Sequence, residues 1–309
     1  MTETSRTWKY ELALLGVVLI WGLNFPVVKG ALRYMSPFAF NAFRFTLSVG
    51  LMAIPFYASW RKTSPGRRSF LRQRWKTLLG LGLLGHVAYQ VLFISGVHRT
   101  TSGNAALIMA GAPLWTALCG HLLHIERLRS LAWGGLLLSL TGTALVVIAG
   151  PADVRFTQET LTGNMIMLLA STSWGAYTAL SKPVLRRITP IELTFLTMAT
   201  APPILWLLAL PEMATLPWSS IPLWVWLAIV FSGALSTGIA YMIWNSAIRQ
   251  VGASHTAVFG NLVPFISLAG GYILLGEPVA LMQILGGGLI IGGLLLMRRA
   301  RSPQTPTTS

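Results

Sequence analysis

Arg44 stands inside the long apolar run Pro37–Trp60, well away from the charged flanks on either side. At 1.5 Å of rise per residue it lies about 10 Å along a helix axis. An uncompensated arginine in lipid costs at least ~2.5 kcal/mol, so the side chain must face protein, water or a headgroup. It can meet an anion or a carboxylate in or beside a cavity, or it can tie up helix-end carbonyls. Other apolar runs carry Asn24, His86, Tyr89, Gln90, Asn104, Tyr177, Tyr241, Asn245 and Asn261. Each can contact a polar substrate or simply join helices, the latter worth ~0.6 kcal/mol apiece. His86 is the candidate titratable group near the middle of a run, and its plain alternative is a satisfied neutral histidine. Trp21, Trp174, Tyr89, Tyr241 and Trp244 have the chemistry of an aromatic cage or of ordinary bundle packing.

The acids sit elsewhere. Glu126 and Glu277 close two runs at opposite ends of the expected bundle, where they either bond neighbouring helix ends or take part in proton coupling, and Glu192 begins another run. Lys29 and Lys182 lie near run ends, where a long side chain snorkels to water or gates an anionic group. None of the eight acidic residues falls mid-run, which disfavours a carrier of lipophilic cations, since such a cargo needs an intramembrane carboxylate. The sequence holds no His-Glu-x-x-His, no phosphate-cradling glycine loop and no Gly-x-Ser-x-Gly elbow. A membrane enzyme acting on lipid or intramembrane peptide is the rival class. Its best fragment, Ser254-His255, places the two side chains on different faces of one turn. No metal or cofactor is expected. Without an ATP site, a proton or counter-solute gradient, or facilitated exit, must supply the drive.

The elements that position these residues follow from composition. With 54% hydrophobic and 10% charged residues, most of the surface cannot face water. At roughly 20 residues per crossing, the apolar runs predict ten transmembrane helices: Glu11–Leu32, Pro37–Trp60, Thr77–Val97, Ser102–His124 and Ser130–Ala149, then Thr162–Leu185, Pro190–Leu210, Pro222–Ala247, Ala253–Leu275 and Val279–Met297. Of 23 basic residues, eighteen fall on one side of the resulting topology and four, Lys29, Arg33, Arg99 and Arg155, on the other. Basic flanks are retained in the cytoplasm, so both tails, 1–10 and 298–309, are expected on the cytoplasmic side of an inner membrane. The net charge of +15 is thereby explained by topology and not by nucleic acid binding. Cys119 lies in an apolar run and, as the lone cysteine, forms no internal disulfide. Gly288 and Gly292 have the small-xxx-small spacing of close helix packing within the chain. The sequence specifies no oligomeric state.

The chain also repeats itself. Trp21-Gly22 recurs as Trp174-Gly175, Lys29 as Lys182 and Pro37 as Pro190, all at an offset of 153. Further on the offset is 151: Pro113 matches Pro264, Glu126 matches Glu277, Gly135 matches Gly286 and Gly142 matches Gly293. The expected fold class is therefore all-α and integral to the membrane, with units at 11–149 and 162–297. An odd number of crossings per unit makes the second copy inverted, an architecture of transporters whose substrates bind near the midplane.

Trp21-Gly22-Leu23-Asn24-Phe25 with Lys29, Pro37 and Arg44 resembles the opening of an EamA-type drug/metabolite transporter. Tyr241 through Asn245, Gly252-Ala253-Ser254, Pro264 and Gly276-Glu277-Pro278 are similar to that family's closing pattern. The resemblance implies a cavity lined by the first, third, fourth, sixth, eighth and ninth spans. It also implies export of a small-molecule substrate, an amino acid or other metabolite, with membrane lipid around the bundle.

Overall fold

The computed structural model describes residues 4–124, 130–148, 157–185, 187–251, 259–260 and 262–299, and every regular element among them is helical. The first unit contains α1 (Thr4–Ala31), α2 (Pro37–Trp60), a short α3 (Pro65–Gln73), α4 (Trp75–Arg99), α5 (Ser102–Leu122) and α6 (Ser130–Ile148). The second contains α7 (Gln158–Leu185), α8 (Pro190–Met213), then α9, which runs continuously through Leu223–Val230, Phe231–Ile239 and Ala240–Val251. It ends with α10 (Val263–Leu275) and α11 (Leu281–Arg299). Stretches in α1, α2, α4, α5, α8 and α9 are long and apolar enough to cross a membrane; α10 and the apolar parts of α6 and α11 are shorter. α7 has the length, 28 residues, but buries Asn164, Ser171 and Ser173.

Local sequence explains the boundaries. Proline at the first turn starts α2, α3 and α8. Thr101 caps α5 by accepting from Asn104 N, and Thr189 with Glu192 forms a reciprocal capping box on α8. Gly276 ends α10 at φ 66°, a conformation in which a Cβ would be strained.

Four features depart from the sequence expectation. α3 forms in the basic stretch between the second and third spans, read there only as a connection. The Ser102–His124 span breaks at Gly111, because Pro113 in the first turn of the following helix has no N–H to continue the ladder. The Pro190–Leu210 span likewise breaks after Met198, ahead of Pro202 and Pro203, and runs on to Met213. α4 and α9 each contain a π-helical segment, Leu83–Ala88 and Phe231–Ile239. The expected starts and ends at Ala253 and Ala149 lie outside the described residues.

The two halves meet in reciprocal contacts. Helix α6 crosses α11 so closely that a Cβ on Gly142 would lie 2.6 Å from Gly286 O and 2.8 Å from Ile290 N, and one on Gly293 would collide with Gly135 O. Between these points Ser139 Oγ donates to Ile290 O at 3.1 Å. Numbers fall on one helix as they rise on the other, so the pair is antiparallel. At the offset of 151, Gly135, Ser139 and Gly142 become Gly286, Ile290 and Gly293: the contact maps onto itself, as a two-fold contact must. The paired Trp-Gly motifs behave alike. A Cβ on Gly22 would collide with Ile266 Cβ and stand 3.1 Å from Val263 O; one on Gly175 would stand 2.5 Å from Trp115 Cβ and 2.9 Å from Ala112 O. Positions 112 and 115 carry the same offset to 263 and 266. Each glycine thus lets the first helix of one half press on the helix around the matched proline, Pro264 or Pro113, of the other. The small-xxx-small pair is not the contact: among the described residues Gly288 has nothing within 4 Å of its would-be Cβ, and Gly292 has Leu138 Cδ2 at 3.7 Å.

Acids pin the helix ends. Glu277 Oε2 accepts from Ser102 N at 2.9 Å and Ser102 Oγ at 2.6 Å, capping α5 from the far half. Glu212 Oε2 accepts from Phe38 N and Ala39 N at the start of α2, while at the other end Thr63 Oγ1 donates to Glu192 Oε1 at 2.9 Å. All are charge-assisted, and those to Ser102 N, Phe38 N and Ala39 N satisfy first-turn donors that a helix otherwise leaves unpaired.

Candidate substrate cavity

Between the halves lies a cavity of about 200 Å³. Its wall draws Trp21, Asn24 and Phe25 from α1, Arg44 from α2, Tyr89, Gln90 and Phe93 from α4, and Trp174 from α7. Ser236, Thr237, Tyr241 and Trp244 of α9 complete one side, and the break of α5 with the start of α10, including Pro113 and Pro264, the other. The break of α5 at Gly111 matters to this geometry, because a helix interrupted at the cavity wall leaves backbone groups that an unbroken helix pairs internally. The π segments matter as well. Trp21 Nε1 donates to Ser236 O at 2.9 Å, and Ser173 Oγ donates to Leu84 O at 2.8 Å, so each π segment receives a side chain from the other half's first helix.

Arg44 is fully buried. Its Nη2 donates to Asn41 Oδ1 at 2.6 Å and to Gln90 Oε1 at 2.5 Å, and its Nη1 to Ser232 Oγ at 3.1 Å. Three of its five N–H donors are thereby placed, and Nε has no hydrogen-bond partner. Every acceptor is neutral. Among the described residues the ion pair found within 4.0 Å is Arg67–Glu192, at 3.9 Å and remote from this site, so Arg44 brings a positive charge to the wall without a carboxylate to answer it. Phe45 and Phe93 flank the guanidinium, each ring centroid 5.7 Å from Cζ.

Much of the remaining wall is aromatic. Trp21 packs on Trp244 at 4.9 Å and Tyr241 at 5.8 Å between centroids, and Trp174 on Tyr89 at 5.0 Å and Tyr241 at 5.7 Å. Within it Asn24 is buried and its Oδ1 has no hydrogen-bond partner. An acceptor left in this state favours a ligand that donates a hydrogen bond.

Of the residues singled out from sequence as substrate contacts, Asn24, Arg44, Tyr89, Gln90 and Tyr241 share this wall. His86, Asn104 and Tyr177 do not. His86 Nε2 lies 3.0 Å from Thr197 Oγ1, and Tyr177 OH 3.3 Å from the same hydroxyl, a buried cluster joining α4, α7 and α8. Asn104 Oδ1 accepts from Gln283 Nε2 at 2.6 Å and its Nδ2 donates to Asn164 Oδ1 at 3.4 Å, joining α5 to α11 and α7. Among the gating or structural candidates, Trp21, Trp174, Pro113 and Pro264 line the cavity and Glu277 caps α5. Lys29, expected to snorkel to water or to gate an anionic group, donates to His98 O at 2.7 Å at the end of α4, in a hydrogen bond that is itself exposed. Asn261, Glu126, Ser254 and His255 lie outside the described residues, as do the side chains of Lys182 and Asn245. Asn41, Ser232, Ser236 and Thr237 were missed. Asn41 was findable, since three residues along a helix bring it beside Arg44. Ser232 reaches Arg44 only through the tertiary packing of α9.

The profile of the EamA-like transporter family matches twice along this sequence, over residues 8–148 and 161–299. The chain belongs to the EamA-like transporter family. It is accordingly an integral membrane transporter, and the two matched segments are the two halves seen in the contacts. YyaM, a transporter of Bacillus subtilis, is 29% identical, with 91% of each chain covered. A probable amino-acid metabolite efflux pump of Salmonella typhimurium is 28% identical over 92% of this chain and 93% of that one. A probable terminal-alkyne amino-acid exporter of Streptantibioticus cattleyicolor is 27% identical over 93% and 92%. A crystal structure with 22% identity superposes at a TM-score of 0.64, covering 96% of this EamA-like chain and 100% of the other, which supports the fold.

Proposed function

We propose that this EamA-like transporter is a secondary carrier that exports a small polar metabolite bearing a carboxylate, an amino acid or a related acid. The observation that carries this reading is Arg44, a buried guanidinium at the cavity wall with neutral partners and, among the described residues, no acid to balance it. Low-dielectric surroundings make an unbalanced cation costly, and a substrate carboxylate offsets that cost on arrival. The amino-acid cargo in the names of the Salmonella and Streptantibioticus relatives supports the same class. Ten spans in two inverted units, 11–149 and 162–297, exchange an inward-open for an outward-open cavity, driven by a proton or counter-solute gradient. Both tails face the cytoplasm across an inner membrane.

The purified protein in liposomes should show saturable counterflow of amino acids or simple carboxylates, and much weaker counterflow of the matching amides. A panel in which no carboxylate moves, under any ion gradient, defeats the proposal. Topology is tested separately. In a Cys119→Ser background, the exposed positions Ser64 and Ala214 changed singly to cysteine should differ in intact cells. The Ala214 site labels with an impermeant thiol reagent and the Ser64 site stays protected, because the stretch containing Ser64 is too basic to cross readily. Labelling of both from one side sinks the ten-span arrangement.

A further inference from the structure

α3 carries a surface that transport does not use. Between residues 61 and 76 the chain has seven basic residues, Arg61, Lys62, Arg67, Arg68, Arg72, Arg74 and Lys76, and no acid. Two are occupied: Arg67 faces Glu192 at 3.9 Å, and Arg68 donates to Trp60 O at 2.9 Å. The other five are exposed and have no carboxylate within 4.0 Å among the described residues. Retention in the cytoplasm needs a basic excess, but it does not call for an arrangement in space.

Such an arrangement exists. Leu71 is buried with Phe70 against a cluster that includes Leu78, Leu81 and Val184, so α3 is docked by one face onto the end of the bundle. Arg72 is turned out. The helix breaks at Arg74; past it, at helical spacing on α4, follow Trp75 and Lys76, then Leu79, then Leu83, and these four are exposed like Arg72 and Arg74 before them. Lys76 Nζ lies 6 Å or less from the Trp75 ring, at 5.7 Å, and Arg74 Cζ is 5.9 Å from the Phe70 ring. The stripe is thus basic at the bundle end, aromatic at the junction and aliphatic along the flank of α4. A second stripe on α2 repeats the order, with exposed Ile54 and Tyr57 leading to Arg61. This sequence of chemistries is that of a phospholipid laid alongside: anionic phosphate, interface, acyl chain. Nucleic acid would use the charge and leave the aliphatic flank bare.

We infer that α3 and the first turns of α4 bind an anionic phospholipid, with the headgroup phosphate at Arg72, Arg74 and Lys76 and an acyl chain along Leu79 and Leu83. The inference rests on the chain being membrane-embedded, not on what it carries. Its test uses the full-length protein purified in a neutral detergent and titrated with phosphatidylglycerol or phosphatidylcholine of identical chains, read by native mass spectrometry. Phosphatidylglycerol should bind on the order of 100-fold tighter, about fivefold per basic residue. That preference should collapse to near unity in the Arg72→Gln, Arg74→Gln, Lys76→Gln variant and in the parent protein at 1 M salt. The three side chains are exposed, so the variant should melt as the parent does. The water-soluble headgroup without acyl chains should compete poorly. Equal binding of the two lipids, an unchanged preference in the variant, or full competition by the headgroup alone overturns the inference, as does retention of a short RNA in preference to the lipid. No transport is measured, so failure here is separate from failure of the carrier reading. Release of the chain from native membranes by alkaline carbonate without detergent would instead defeat the membrane reading on which both rest.

Discussion

Arg44→Lys should lower transport of carboxylate substrates at least about tenfold while retaining a positive charge at the site. The guanidinium spends Nη1 and Nη2 on Ser232, Asn41 and Gln90 and keeps Nε unpartnered at the wall. A lysine ammonium has three donors on a single point, so it cannot serve those three oxygens and a substrate together. Losing one bond to a charged group costs about 1.5–3 kcal/mol, and each 1.4 kcal/mol is a factor of ten. A role in substrate binding makes the loss selective: carboxylates suffer and their amides do not. A role confined to holding α2 against α4 and α9 makes the loss general, because Asn41, Gln90 and Ser232 are buried and would be left short of donors whatever the cargo. Uptake of a carboxylate and of its amide by one purified variant, beside its melting temperature, separates these outcomes. Arg44→Ala that melts normally and transports at the parent rate removes Arg44 from both roles.

The reason Arg44 was legible in sequence is energetic. A charge far inside an apolar run is so costly in lipid that it must have a specific place, whereas Asn41 and Ser232 cost little wherever they face. Helix ends were legible from local chemistry: Pro37 and Pro190 start α2 and α8, whereas the capping box of Thr189 with Glu192 came to light only in the structure. Repeat offsets gave the two halves because matched glycines and prolines answer to backbone geometry. The π segments left no such mark: Leu83–Ala88 reads as any apolar helix does, and only the structure shows Gly85 pressed against Tyr177 of α7. His86 and Tyr177 were assigned to the cavity on residue type. Their faces point to Thr197 instead, and a helical face cannot be chosen before the neighbouring helix is known. The glycines of α11 show the same limit. A spacing of four selects Gly288 and Gly292, but the contact with α6 falls on Gly286 and Gly293, seven apart, as in two helices that cross at a shallow angle.

That distinction gives the second large effect: Gly142→Leu should reduce the folded yield about tenfold or more, while Gly288→Leu leaves it near the parent value. At Gly142 the obstacles are Gly286 O at 2.6 Å and Ile290 N at 2.8 Å from the would-be Cβ, backbone atoms that cannot rotate away as a side chain can. The helices must separate, and the Ser139 to Ile290 bond at the centre of the crossing lengthens with them. Overpacking of a close interior costs about 1–3 kcal/mol even where side chains can yield. Because the contact is its own two-fold image, moving Gly142 off Gly286 also lifts Gly293 off Gly135, so one substitution loosens both sides. Gly142→Ala should fall between, as a single methyl already meets both backbone atoms. Gly288, with nothing within 4 Å, tolerates the larger side chain at a cost near zero. Detergent gel filtration with fluorescence detection of the three variants measures the monodisperse fraction directly. If Gly142→Leu and Gly288→Leu give the same fraction, the α6–α11 crossing is not what joins the halves, and the reciprocal seats of Gly22 and Gly175 must then hold them together.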